Sequence, residues 1–217
     1  MGHVCDAVFG VYDISNSRLP SVEKIIPKQL DRSEPPLVRV VLFGPESTGK
    51  TTLSRQLSEH YRAPWVAEFA RDFLQQKWDA QKEVCSEADL IDIAIGQIES
   101  ENRAAEQADP LLICDTDVLE TLAYSYWYFG PEADERLESS ARQAEYDVYL
   151  LTYIDTPWTP DDLRDQPDAR PELFDHFKNC LERFDRNFVI LKGDPYTRFT
   201  RATELIDKLI HAAQNKR

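Results

Sequence analysis

The run Gly44-Pro45-Glu46-Ser47-Thr48-Gly49-Lys50-Thr51 fits the pattern G-x-x-x-x-G-K-[ST] in full. That spacing suits one task, holding a row of phosphates. Glycines let the backbone curl until its N–H groups face inward onto phosphate oxygens. A helix starting near Lys50 aims its positive end at the same point. The Lys50 ammonium reaches the β- and γ-phosphates, and the Thr51 hydroxyl is placed to ligate Mg²⁺.

A magnesium site wants a carboxylate on a neighbouring strand. Asp115 directly follows the apolar run Leu111-Leu112-Ile113-Cys114, the hydrophobic-run-then-Asp form of a Walker B strand. Asp117 adds a second carboxylate at the mouth of the sheet, or else caps the next helix. Phosphoryl transfer to a hydroxyl needs a group that orients it and takes its proton. Glu68, after a short apolar segment, is expected to face the γ-phosphate, with Arg71 one turn on along the same face; the plainer reading is an exposed Glu–Arg pair. Residues 155–171 form a loop rich in Pro and Asp that carries Arg164 and Arg170, suited to closing over a nucleotide and neutralising charge on the transferred group. Trp158 can stack on a flat ring, as can Trp65 or a tyrosine of the Tyr124–Tyr128 cluster, although aromatics at such spacing also serve as core. A turn at Gly193 would sit beside the base of the nucleotide. The four histidines show no metal or triad spacing, and the four cysteines contain no CxxC pair.

These residues need a frame. Val38–Phe43 is β-branched and nearly unbroken by polar residues, as a strand buried on both faces should be. Leu53, Leu57 and Tyr61 mark one face of a helix over 50–61. A short strand at 64–67 leads into a helix from Glu68. Ser86-Glu87-Ala88-Asp89 reads as a capping box opening a helix to 108. Strands follow at 111–114, 147–152 and 188–191, with helices at 119–128, 132–142, 172–184 and 196–213. The alternation predicts an α/β P-loop NTPase fold: a parallel sheet of about five strands, helices on both faces and an arginine-bearing lid. Residues 1–36, ending in Ser33-Glu34-Pro35-Pro36, read as a leader and linker ahead of one domain over 37–217. The leader could add an edge strand or help a homo-oligomer form, and the sequence does not decide.

The 217 residues carry 25 Lys+Arg against 39 Asp+Glu, a net charge of −14. Such a surface repels phosphate backbones and anionic lipids, so neither nucleic acid nor membrane is an expected partner. No basic start followed by an apolar run and no apolar stretch of about 18 residues is present, which points to the cytoplasm.

The order of motifs then carries a resemblance. GPESTGKTTL, EFARDF, AIGQIESE, LLICDTDVLET and YDVYLLTYIDTPWTPDDLR followed by Arg170 are together similar to the ribosylnicotinamide kinase domain of bacterial NadR proteins, from about Val38 to Leu209. The resemblance implies an ATP-dependent, thymidylate-kinase-like P-loop enzyme that phosphorylates the 5′-hydroxyl of nicotinamide riboside in NAD salvage. It implies that residues 44–52, Thr52 included, bind ATP phosphates. Thr51 and Asp115 would hold Mg²⁺. Glu68, Arg71 and Asp117 would face the riboside, and Arg164 and Arg170 would act from the lid. Where the family has an aromatic before its Glu-aromatic pair, this chain has Ala67, with Trp65 two residues earlier, which leaves open which aromatic stacks on the nicotinamide and, with it, the substrate. The 36 leader residues are too few for an adenylyltransferase domain, and neither an HxGH signature nor a repressor module is seen, so those activities are not expected. A kinase for another nucleoside and an ATP-binding switch without a small-molecule acceptor are the rival readings.

Overall fold

The computed structural model describes residues 24–31, 36–161, 163 and 168–215. Five strands form one wholly parallel sheet: β1 (Val38–Phe43), β2 (Trp65–Val66), β3 (Leu111–Asp115), β4 (Val148–Thr152) and β5 (Phe188–Leu191), in the order β2-β3-β1-β4-β5. Seven helices connect and cover them: α1 (Lys50–Tyr61), α2 (Phe69–Gln81), α3 (Leu90–Ala105), α4 (Val118–Phe129), α5 (Glu135–Gln143), α6 (Arg170–Arg183) and α7 (Pro195–Gln214).

β1 runs through the middle with all six residues buried. Its alternation divides the core. Val38, Val40 and Leu42 pack with Leu53 and Leu57 of α1 and Ala202 and Ile206 of α7. Val41 and Phe43 pack on the opposite side with α3, α4, α5 and α6. Because the strands are parallel, their carboxyl ends open on one edge, where ligands bind in open α/β sheets.

Two boundaries differ from the expected ones. The helix expected from Ser86 opens instead with a 3₁₀ turn, Glu87–Asp89, because the Asp89 carboxylate accepts from both the amide and the hydroxyl of Ser86, each at 2.7 Å. Arg170, expected in the lid, is the first residue of α6, whose opening turn is set by Pro171. Gly96 lets α2 lie close on α3: a Cβ there would overlap the Phe69 ring.

Of the leader, residues 24–31 form an irregular strap on α3. Asn102 clamps its backbone, accepting from the Leu30 amide at 2.6 Å and donating to the Lys28 carbonyl at 2.8 Å. Lys24 pairs with Asp92 at 2.6 Å. A cavity of about 580 Å³ lies between the strap, α5 and Arg39 near the start of β1, at the end of the sheet away from the glycine loop. No helix among the described residues is long and apolar enough to cross a membrane.

Beneath the strap lies a buried acid. Glu101 is 1% exposed and accepts from the Tyr146 hydroxyl at 2.6 Å and the Gln97 amide at 3.1 Å. Burial pushes its carboxyl from the ordinary 4.5 up to about 7, against those hydrogen bonds. The folded pKa exceeds the unfolded one, so folding favours the protonated acid, and the associated stability is present below the ordinary carboxylate range and lost as pH rises towards 7. Glu101→Gln should therefore raise thermal stability at pH 8, by on the order of 2 kcal/mol, and change it little at pH 5. Melting curves at the two pH values check this; an equal shift at both contradicts it.

Candidate active site

The loop between β1 and α1 takes its shape from three positive-φ residues, Gly44 (+133°), Ser47 (+57°) and Gly49 (+85°). At Gly44 a side chain is excluded by space as well, since a Cβ would come within 3.0 Å of the Thr152 carbonyl and hydroxyl. The carbonyls of Gly44, Pro45, Ser47 and Thr48 are each occupied by a side-chain donor. Lys50 Nζ donates to Gly44 O at 2.6 Å and Pro45 O at 3.1 Å. The Thr156 hydroxyl and Arg170 Nη2 donate to Ser47 O at 2.8 and 3.2 Å. Arg198 Nη1 donates to Thr48 O at 2.6 Å. The Thr48 hydroxyl, itself buried, bonds Pro45 O and the Thr152 hydroxyl. With the carbonyls held this way, the amides of Ser47, Thr48 and Gly49 donate to nothing else among the described residues and form an anion-binding nest at the start of α1.

Lys50 is 7% exposed and pairs with Glu120 Oε1 at 3.1 Å. Burial acts to lower its pKa, but Glu120, Glu68 and Asp115 outweigh that and hold it above the usual lysine value, so it remains a cation. Glu120 also accepts from the Gly44 amide at 3.2 Å. It thus fixes both ends of the loop, a role that sequence reading missed. The available signal was its place three residues after the helix cap Asp117, where a capping-box acid would turn back to the cap; this one turns to the loop.

Asp115 lies at the mouth. Both its oxygens are buried without a hydrogen bond of good geometry. Burial, and next the charge of Glu68, push its acid up to about 6, while the neighbouring Thr51 hydroxyl, Lys50 and Arg55 pull it down. A buried carboxylate short of partners beside a hydroxyl suits a hard divalent cation, which takes few protein ligands when phosphates supply the others. Glu68 is half-buried just before α2 and makes no hydrogen bond or ion pair among the described residues. Its charge nevertheless acts on Lys50, Asp115, Glu120 and Arg71, which puts it among them. Glu46, on the loop, acts on Arg71, Tyr124 and Arg170. Thr52 is exposed on the first turn of α1.

The loop after β4 spans the mouth. Thr156 and the Thr159 amide hold it to Ser47, and Asp161 accepts a two-pronged bond from Arg71 at 2.7 and 3.3 Å. Arg170 also donates to Thr156 O and lies 5.8 Å over the half-buried Trp158 ring. Arg164 lies outside the described residues. Arg198, another residue not singled out from the sequence, is 4% exposed and joins Thr48 O, Gly193 O, Tyr153 O and Asp155 into one cluster.

Two expected site residues turn elsewhere. Asp117 does not face the mouth: it caps α4 through the Glu120 amide at 3.1 Å, accepts from the Tyr149 hydroxyl at 2.7 Å and is 1% exposed. Burial pushes its acid up to about 6. Trp65 sits on the α1 side of the sheet, its indole N–H donating to the Ser54 hydroxyl at 2.9 Å and its ring under Arg55 at 4.6 Å. The aromatic pair close to the acids is instead Tyr124 and Tyr128 of α4, stacked at 6.0 Å and 18°. Burial raises the Tyr124 phenol well above its ordinary value, and the charges of Glu120, Glu46 and Glu68 raise it further.

Residues 39–198 match the family described as AAA domain. The chain is 27% identical over 174 residues to the trifunctional NAD biosynthesis/regulator protein NadR of Escherichia coli (strain K12), a match covering 79% of this chain and 42% of that protein. NadR of Salmonella typhimurium (strain LT2) is 26% identical with the same coverage. The chain thus spans less than half the length of these curated relatives. The crystal structure of NadR protein in complex with NR superposes with a TM-score of 0.65 at 25% identity, covering 79% of this chain and 51% of that one. Thymidylate kinase from Ehrlichia chaffeensis gives 0.60 at 13% identity, a likeness of fold alone, covering 78% and 98%. The sheet order, the glycine loop and the strand-end Asp115 are those of a P-loop kinase fold, and the chain belongs to the AAA domain family.

Proposed function

We propose that this chain is an ATP-dependent nucleoside kinase whose acceptor is nicotinamide riboside. The observation that carries the choice of acceptor is the stacked pair Tyr124 and Tyr128 with Glu46, Glu68 and Glu120 acting on Tyr124. A ring bearing a fixed positive charge gains from nearby carboxylates as well as from an aromatic face, whereas a neutral base gains from the aromatic face alone. The similarity to NadR supports the same reading.

In this reading the amides of residues 46–50 hold the ATP phosphates. Lys50 exchanges the Gly44 and Pro45 carbonyls for phosphate oxygens while Glu120 keeps it aimed. Thr51 and Asp115 would hold Mg²⁺, which would supply neutralisation of phosphate charge. Glu68 orients the 5′-hydroxyl and takes its proton as the oxygen attacks the γ-phosphorus, while the bond from that phosphorus to the β,γ-bridging oxygen breaks and ADP leaves. Arg170, fixed on Ser47, supplies positive charge beside the transferred group, and Arg71 holds the loop across the mouth through Asp161. Trp158, beside Arg170, offers a flat face on the same side.

Purified protein with Mg·ATP and a panel of nucleosides should convert nicotinamide riboside to its 5′-monophosphate faster than any neutral nucleoside. Absence of product with every nucleoside contradicts the kinase reading and favours an ATP-binding switch. Glu68→Gln should lower kcat by about 10²- to 10⁴-fold with KM for ATP nearly unchanged. Lys50→Met should lose about 10³-fold or more of turnover. It should also lose about 3 kcal/mol of stability, since Glu120 is left buried and unpaired. The double variant Lys50→Met/Glu120→Gln should regain the melting temperature and not the turnover, which thermal melts and steady-state assays separate.

A further inference from the structure

Behind Glu68 lies a polar pair that the mechanism above leaves idle. Glu68 stands immediately before α2, and Asp115 closes β3. One side chain touches the residue after each. Gln97 Oε1 accepts from the Phe69 amide at 3.0 Å. Its Nε2 reaches the Thr116 carbonyl at 3.5 Å, the long end of a hydrogen bond, and donates to Glu101 Oε1 at 3.1 Å. Both residues are buried, at 2% and 1% exposure.

A primary amide on its own can turn over and exchange its oxygen for its nitrogen. The Phe69 N–H only donates, so the Gln97 carbonyl must face it, and above about pH 7, where Glu101 is ionised and only accepts, the carboxylate holds the NH₂ on its own side. Glu101 is held in turn through its other oxygen by the Tyr146 hydroxyl at 2.6 Å and by the strap residue Gln29 at 3.5 Å. Gly96, next in sequence to Gln97, admits the Phe69 ring. The start of α2 is therefore located by one hydrogen bond and one close contact, both from a single turn of α3.

We propose that Gln97 and Glu101 are a positioning pair that braces the helix start carrying Glu68 against the strand end carrying Asp115, and so sets the separation between proton acceptor and phosphoryl donor. This rests on the reading of Glu68 as the group that takes the hydroxyl proton.

The test uses the full chain with Mg·ATP and nicotinamide riboside at about pH 8, where Glu101 is ionised. Gln97→Leu should lower kcat about 10- to 100-fold, the cost of a small misplacement of a reacting group, with KM for ATP within about twofold. On a Glu68→Gln background the same change should cost almost nothing further, because both act through one group. A loss that persists at full size there overturns the proposal. Glu101→Gln removes a buried charge at constant volume and should fold; freed to turn over, the Gln97 amide should leave kcat down by about threefold or more. A second readout needs no turnover. Hydrogen exchange at the Phe69 amide should quicken by about tenfold or more in Gln97→Leu while the α3 amides keep their protection. Unchanged exchange at Phe69, or unchanged kcat in Gln97→Leu, overturns the pair. Full activity in Glu68→Gln instead overturns the reading of Glu68 and leaves the exchange result to judge the brace.

Discussion

The site depends on which way six peptide units face. A curled loop collects anions only if its carbonyls turn outward and stay there, and in this chain side-chain donors hold four of them. Lys50, Thr48, Thr156, Arg170 and Arg198 together cover Gly44, Pro45, Ser47 and Thr48. The donors come from α1, the loop after β4, α6 and α7, so the geometry of a short turn is a property of the whole domain. A nest of amides prepared in this way has little to reorganise when a charged group arrives.

The acidic composition finds its use in the same place. Glu46, Glu68, Asp115 and Glu120 act on one mouth together with the cations Lys50, Arg55, Arg71 and Arg170. Packed together and partly removed from water, the carboxylates raise one another: Asp115 by Glu68, and Glu120 by Glu68 after burial. Such a cluster is costly until a cation enters it. Under the proposed reading, a metal ion and a positively charged acceptor ring would both relieve it.

The sequence made the loop, the Asp115 strand and the parallel sheet legible because each is a local pattern: glycines and lysine at fixed spacing, apolar runs of strand length, helical stripes between them. What it concealed were contacts that close across the chain. Glu120 meets Gly44 from 76 residues away, and Arg198 meets Thr48 from 150. Neither distance leaves a local trace. Trp65 and Asp117 failed for a different reason, the direction of a side chain. Trp65 lies in register with Ile113, and both share the face that packs on α1 and α7. Asp117 stands at the correct end of the sheet, but a helix cap draws its carboxylate to the first turn of α4, where Tyr149 covers it. Sequence position specifies an edge; only packing specifies a direction.

The absent methyl at Gly96 has a further meaning for how such a pocket can be remodelled. Because the Phe69 ring fills the space a side chain would take, α2 has no slack towards α3. One wall of the crevice is therefore pinned to the scaffold, and room for a larger or differently charged guest has to be found on the other wall, where Tyr128 is partly open to solvent. Diversification of such a chain would accordingly be written into α4, with the start of α2 kept as the stationary point from which every alternative pocket is measured.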